Sequence, residues 1–237
     1  MILRAAALLA LLTVGCRDQP QTGERAGSGR SNPQLALLTS LPLAFPETLS
    51  LDAPAHPAMK RLEADFEITL LDGPEQAPER GLMLAAQPQA LTAERLVALD
   101  SWVRRGGRIV LLADPQLSWD SQRPLGDRLR PPFAFPDTGL LAHWGLRLEA
   151  PEQGGPATRQ LGGMQVLTAS PGRLHGEKGG ACQVSEDGLV ARCSIGEGRA
   201  VVVADADFIQ AGTAGGLDGP IEHNIAALVA ELNGLAR

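Results

Sequence analysis

The sequence predicts an α/β protein built on a mostly parallel sheet with helices on both faces. Three observations carry this. The strand candidates are continuous apolar runs rather than alternating ones, as strands buried on both faces require. They come in strand, helix, strand order. One strand form also occurs twice, because "GGRIVLLADP" (106–115) and "GEGRAVVVADADF" (196–208) both run Gly-Arg, four apolar residues, Ala, Asp.

At 237 residues and 44% hydrophobic content the chain can bury a sizeable core, in one domain or a domain with a small appendage. A net charge of -6, no long basic run and only two lysines, Lys60 and Lys178, exclude a dedicated nucleic-acid binder.

The first residues, "MILRAAALLALLTVGC", place one charge, Arg4, before an apolar run from Ala5 to Leu12. That run is too short to span a bilayer and has the proportions of a secretory signal. Thr13-Val14-Gly15-Cys16 resembles the lipobox of bacterial lipoproteins, which implies a signal peptide over 1–15 and lipidation of Cys16. The alternative is an ordinary cleaved signal that contains a cysteine. Residues 16–33, polar and rich in Gly, Ser and Pro, read as a flexible tether spanning about 23 Å.

A single α/β domain is expected over 34–237. "QLALLTS" (34–40) is a buried strand, 57–64 a short helix, "FEITLLDG" (66–73) a strand ending in a turn, and "GLMLAA" (81–86) another strand. The next helix has Thr92 as N-cap and Leu91 and Leu96 as a hydrophobic staple; its apolar face is Leu96, Leu99 and Val103, and Arg104-Arg105-Gly106 closes it. After "RIVLLAD" comes a long proline-rich loop, 115–136, holding Trp119, Phe133 and Phe135, three of eight aromatics in the chain. Loops of this length tend to be functional or disordered, and these three are taken as candidate partner-binding residues. A short helix is expected over Asp137–Gly145, an antiparallel excursion over 150–195, and a return to the sheet at "RAVVVAD". The last helix is expected over Pro220–Leu232, with Ile221, Ile225, Leu228, Val229 and Leu232 on one face and Gly234 as C-cap.

Cys182 and Cys193 flank "QVSEDGLVAR", in which Asp187-Gly188 signals a two-residue hairpin turn. Counting back from that turn sets Cys182 opposite Cys193, in a hydrogen-bonded pair. A cross-strand disulfide in an oxidising compartment is one reading; two small core residues facing each other is the other.

Ligands of open α/β sheets bind outside the carboxyl ends of the strands. Those ends carry Thr39, Ser40, Asp72, Gln87, Asp114, Asp205 and Asp207. All but Asp72 are taken as candidate ligand-binding residues. Asp114 and Asp205, if adjacent, would raise each other's proton affinity or share a divalent cation, as in a hydrolase. Alternatively each Asp caps the turn where a buried strand surfaces. No G-x-S-x-G or G-x-C-x-G elbow is present, and the four histidines match no zinc spacing. The glycine-rich stretches lack the pattern of a phosphate loop. No catalytic residue, metal site or cofactor is therefore assigned.

The ordered set "LALLTSLPL" (35–43), "LTAERLVALDSWVRRGGRIVLLADP" (91–115), "LLAHWGLRL" (140–148), "GEGRAVVVADADFI" (196–209) and "NIAALVAEL" (224–232) resembles the extracytoplasmic domain of GldG-like auxiliary components of uncharacterised ABC-type transport systems. The resemblance covers most of 34–234. It implies a flavodoxin-like, class I glutamine amidotransferase-like three-layer sandwich. The amidotransferase nucleophile would follow "LMLAA", where this chain has Gln87-Pro88-Gln89, so that activity is not carried over. What the resemblance implies is a non-enzymatic accessory or binding protein that partners permease and ATPase subunits. GldG-like chains are longer and carry a membrane helix, whose place a periplasmic lipid anchor at Cys16 would take. A cell-envelope scaffold lipoprotein is the further alternative.

Overall fold

The computed structural model describes residues 32–47, 54–210 and 221–237; the expectations for the signal segment, Cys16, most of the tether and Pro220 lie outside them. Residues Asn32–Arg237 form one unit. Its strands are β1 (Gln34–Thr39), β2 (Glu67–Leu70), β3 (Leu82–Ala86), β4 (Arg108–Leu112), β5 (Leu146–Glu149), β6 (Ala157–Leu161), β7 (Met164–Thr168), β8 (Arg173–Gly176), β9 (Cys182–Val184), β10 (Val190–Ile195) and β11 (Gly198–Val203). Its helices are α1 (Pro57–Asp65), α2 (Ala93–Arg104), α3 (Leu140–His143) and α4 (Ile221–Ala236).

Seven strands form the central sheet in the order β2-β1-β3-β4-β11-β10-β9, with the first five parallel. The apolar runs are continuous because both faces are covered. In β3, Leu82, Leu84 and Ala86 enter the core shared with α1 and α4, whereas Met83 and Ala85 enter the one shared with α2 and α3. A polar residue at any of these positions would be buried without a partner.

The repeated Gly-Arg has a structural cause. Arg108 and Arg199 are directly paired across β4 and β11. Arg108 Nη1 donates to the carbonyls of Leu235 (3.2 Å) and Ala236 (2.6 Å), and Arg199 Nη2 donates to Leu235 O at 2.8 Å. Two guanidinium groups thus satisfy two of the orphan carbonyls at the negative dipole end of α4. This corrects the expectation for Gly234, which lies inside α4 rather than capping it, because buried Leu235 draws the helix on into the core. The glycines before the arginines are also required. A Cβ on Gly198 would lie 2.0 Å from Val103 O, and one on Gly107 would lie 2.5 Å from the Trp102 ring.

Helix α2 begins as expected, with Thr92 Oγ1 accepting the Arg95 N–H at 3.4 Å and with Leu91 and Leu96 both packed against the core. The Asp137–Gly145 helix is shorter than expected: Asp137 Oδ1 accepts the Gly139 and Leu141 N–H groups, and only Leu140–His143 is helical.

The 150–195 excursion requires a larger correction. Only β6–β7 and β5–β8 form separate two-stranded sheets, while β9 and β10 extend the central sheet. Alternation explains it: Ala191, Cys193 and Ile195 of β10 complete the core under α2 and α3, so the strand pairs along β11 from Val190↔Val203 to Ile195↔Gly198.

Cys182 does face Cys193, and the two form a disulfide with Cα atoms 4.0 Å apart. The register is as expected but the hydrogen-bond phase is not. Ser185 N–H donates to Val190 O and Ser194 N–H donates to Ala181 O, which makes 182/193 a non-hydrogen-bonded pair. The phase shifts because the loop has four residues, 186–189, with Gly188 at φ +73° and its N–H bonded to Ser185 O. The closer Cα approach of this pair type suits a disulfide. Reducing and alkylating both cysteines is expected to lower the unfolding free energy by about 3 kcal/mol, measured by urea denaturation.

Candidate functional site

At the carboxyl ends of β1 and β3, the point where strand order reverses, the chain's own polar groups close the crevice. Thr39 Oγ1 donates to Ala86 O at 2.8 Å and accepts the Leu41 N–H at 3.0 Å, while Ser40 Oγ donates to Gln87 O. Gln87 is fully buried with a left-handed backbone, φ 42°. Its side chain grips the end of β4 and the long loop. Oε1 accepts Asp114 N–H at 2.9 Å, and Nε2 donates to Asp114 O (3.1 Å) and Pro132 O (3.3 Å).

Asp114, Asp205 and Asp207 converge one strand further along, all with 0% exposure. Asp114 Oδ1 accepts the Gln116 N–H and Oδ2 the Ala206 N–H, both at 2.8 Å. Asp205 Oδ1 accepts the Phe208 N–H, and Asp207 Oδ2 accepts the Ser118 N–H, again at 2.8 Å. Asp205 Oδ2 and Asp207 Oδ1 are buried without a partner among the described residues. Burial pushes the Asp114 carboxyl up to about 6 against three backbone N–H groups that favour the anion. Burial and the Asp114 charge push Asp207 up to about 7. Burial, then the charges of Asp114 and Asp207, hold Asp205 well above the usual carboxylate range. The approach of Asp114 to Asp205 therefore agrees with the sequence reading, and each carboxylate also organises backbone at a strand end. Among the described residues, no three His, Cys, Asp or Glu side chains converge as ligands of a metal ion.

The six candidate ligand residues thus separate. Gln87 and the three aspartates are sealed in, whereas half-buried Thr39 and Ser40 border an open groove of about 330 Å³ with Asp72, Phe45, Leu70 and Leu129. The loop aromatics separate as well. Trp119 is buried, its ring 5.5 Å from that of His56, and Phe135 packs against the core, while Phe133 is exposed beneath the Arg130 guanidinium at 4.8 Å. Counting aromatics in the loop missed the exposed leucines Leu125 and Leu129, and Phe45, also exposed, lies outside the loop. A leucine among arginines and prolines, as in "RPLGDRLRPP", is the signal that would have found the first two. A larger cleft, about 680 Å³, lies between the 150–156 segment and the Asp187 turn, lined by Arg159, Arg173 and Glu152; no motif marked it.

Two histidines have local roles. His56 Nδ1 caps α1 by accepting the Ala58 N–H at 3.2 Å, and His175 meets Glu149 at 2.8 Å.

No protein-family model matches the chain, and no curated protein matches it either. Solved structures do. The cytoplasmic protein STM3548 from Salmonella typhimurium is similar at TM-score 0.52 and 9% identity, over 86% of this chain and 99% of that one. The mmIFT52 N-terminal domain is similar at TM-score 0.51 and 13% identity, over 85% and 97%. A catalytic mutant of Gan42B, a GH42 β-galactosidase from G. stearothermophilus, is similar at TM-score 0.51 and 12% identity, over 86% and 30%. The chain spans about a third of the length of the glycoside hydrolases it matches. At these identities the likeness is one of fold.

Proposed function

We propose that this chain is a lipid-anchored, periplasmic accessory domain of an ABC-type transport system, non-enzymatic, and that its fold is flavodoxin-like in the class I glutamine amidotransferase manner. The strand order β2-β1-β3-β4-β11 supports the fold reading, since 2-1-3-4-5 is the flavodoxin-like order. Gln87 carries the functional one. By the resemblance it stands at the nucleophile position after β3, in the strained left-handed backbone typical of a nucleophile elbow. Its side chain is an amide with no nucleophilic atom, spent on the backbone of Asp114 and Pro132.

Export is supported by the disulfide, which persists in oxidising compartments. A protein partner is supported by the apolar side chains exposed beside the strand ends, Phe45, Leu125, Leu129 and Phe133. Among the described residues no helix is long and apolar enough to cross a membrane; the lipobox resemblance at Thr13-Val14-Gly15-Cys16 is what supports attachment at Cys16.

The test is affinity purification from detergent-solubilised membranes. Permease and ATPase subunits are expected with the chain, and their absence would overturn the proposal. Leu129→Asp is expected to reduce recovered permease at least tenfold while changing folding stability by less than about 0.5 kcal/mol. Mass spectrometry of the mature N-terminus should find an acylated Cys16.

A further inference from the structure

The cleft of about 680 Å³ between the 150–156 segment and the Asp187 turn lies outside the carboxyl ends of β4 and β11, where open α/β sheets take their ligands. Gly172 on its wall fixes that position. Its N–H donates to Ala204 O, just past β11, and a Cβ on it would lie 2.5 Å from Pro115, just past β4. Both walls are fastened from within the chain. Ser170 Oγ accepts the Gly155 N–H and Asp187 Oδ2 the Gln160 N–H, each at 3.0 Å, while Leu174 N–H donates to Gly188 O.

The charged groups in the cleft divide into engaged and free ones. Glu149 is held by Arg147 at 2.5 Å and by His175 at 2.8 Å. Asp187 accepts from Ser185 Oγ and from the Leu189 and Gln160 N–H groups, so both its oxygens are taken. Arg159, Arg173 and Glu152 make no ion pair among the described residues. Arg159 donates through Nη1 to the adjacent Thr158 O at 3.1 Å, and its buried Nε has no partner. A buried donor so orphaned costs about 1–3 kcal/mol, which an arriving acceptor removes. The free groups are therefore two guanidinium forks, which match a carboxylate through paired N–H donors, and one carboxylate. The lining holds no aromatic ring and no apolar side chain larger than proline, so nothing in it selects an apolar ligand.

We propose that this cleft binds short peptides with free termini: Arg159 and Arg173 take the terminal carboxylate, and Glu152 takes the terminal ammonium. A single amino acid fills only a small part of the volume, so the ligand is a di- or tripeptide. Gln153 and Gly154 favour a peptide over another zwitterion. Both are exposed, and their main-chain groups make no hydrogen bond among the described residues, which leaves them for the amide groups of the ligand. The proposal stands apart from the transport reading, since it concerns only what this cleft holds.

Isothermal titration calorimetry of the full chain with tri-alanine, at neutral pH and low salt, tests it. Saturable binding is expected. Tri-alanine amide, which lacks the carboxylate, is expected to bind at least about tenfold more weakly, and N-acetyl-tri-alanine, which lacks the ammonium, at least about threefold. Arg159→Gln and Arg173→Gln are each expected to weaken tri-alanine by about tenfold or more, because each removes a charge-assisted pair of donors. Arg105→Gln, at an exposed arginine before β4 and so at the opposite end of the sheet, is expected to change affinity by less than about twofold. Absence of saturable binding up to about 10 mM, equal affinity for the amide, or unchanged affinity in both cleft-arginine variants would overturn the proposal. Inorganic phosphate binding as tightly as tri-alanine would overturn it too, by showing an anion site with no preference for a peptide. Should the variants not fold, the ligand series on the unaltered chain decides it.

Discussion

Gln87→Leu is expected to destabilise the fold by about 2–6 kcal/mol, measured by urea denaturation. Leucine matches the buried volume but leaves two main-chain groups without partners, the N–H of Asp114 and the C=O of Pro132, while the Asp114 carbonyl keeps the Phe135 N–H. Each buried group so orphaned costs about 1–3 kcal/mol, which outweighs any gain from burying an apolar side chain in place of an amide. Backbone strain is not the source, since glutamine already bears the left-handed φ of 42°. Gln87→Gly separates the two effects, because it relieves the strain while losing the same hydrogen bonds. A cost below about 1 kcal/mol for leucine would mean that water replaces the amide.

Gln87 also marks where sequence reasoning stops. Its place at a strand end is legible, because five apolar residues precede it and a proline follows. Its clamp is not, because a left-handed residue and a partner 45 positions away, Pro132, leave no local pattern. The buried parallel strands were legible for the opposite reason, since burial on two faces imposes an unbroken apolar run wherever it occurs. The twin Gly-Arg motif was visible as a repeat, yet its meaning needed α4 to arrive between the two strands and present its carbonyls. The excursion was misread because β9 and β10 alternate, a pattern shared by a detached hairpin and a sheet edge. In the candidate site, the meeting of Asp114 with Asp205 was open to inference from matched strand ends. The burial of all three carboxyls depends on the loop that folds over them, and no periodicity announces that.

Stability is expected to fall as pH rises from 6 to 8, by about 1–3 kcal/mol. Asp114 and Asp207, held at about 6 and about 7 when folded, return to 3.8 on unfolding. The folded chain therefore binds more protons than the unfolded one, so their stabilising contribution is complete below pH 3.8 and disappears through 6 and 7. Each such proton is worth about 1.4 kcal/mol per pH unit within its window. Asp205, raised further, acts in the same direction. His56 acts oppositely: burial lowers it from 6.5 to about 4, so folding excludes its proton and stability rises with pH between those values. That partly offsets the carboxyls below pH 6.5 and does nothing above, and the decline flattens once Asp207 has lost its proton above about pH 7. Asp100 and Asp187, lowered chiefly by hydrogen bonds that outweigh their burial, contribute above their unfolded value and fail only on strong acidification. Two substitutions then separate the roles of the aspartates. Asp207→Asn removes one titrating proton and is expected to stabilise the chain at pH 8 by about 1 kcal/mol relative to the parent. Asp114→Asn forces an amide NH₂ against the N–H of Gln116 or of Ala206, and is expected to destabilise at every pH by at least about 2 kcal/mol. Equal and pH-independent losses for both variants would show that the three carboxyls do not share a proton balance at all.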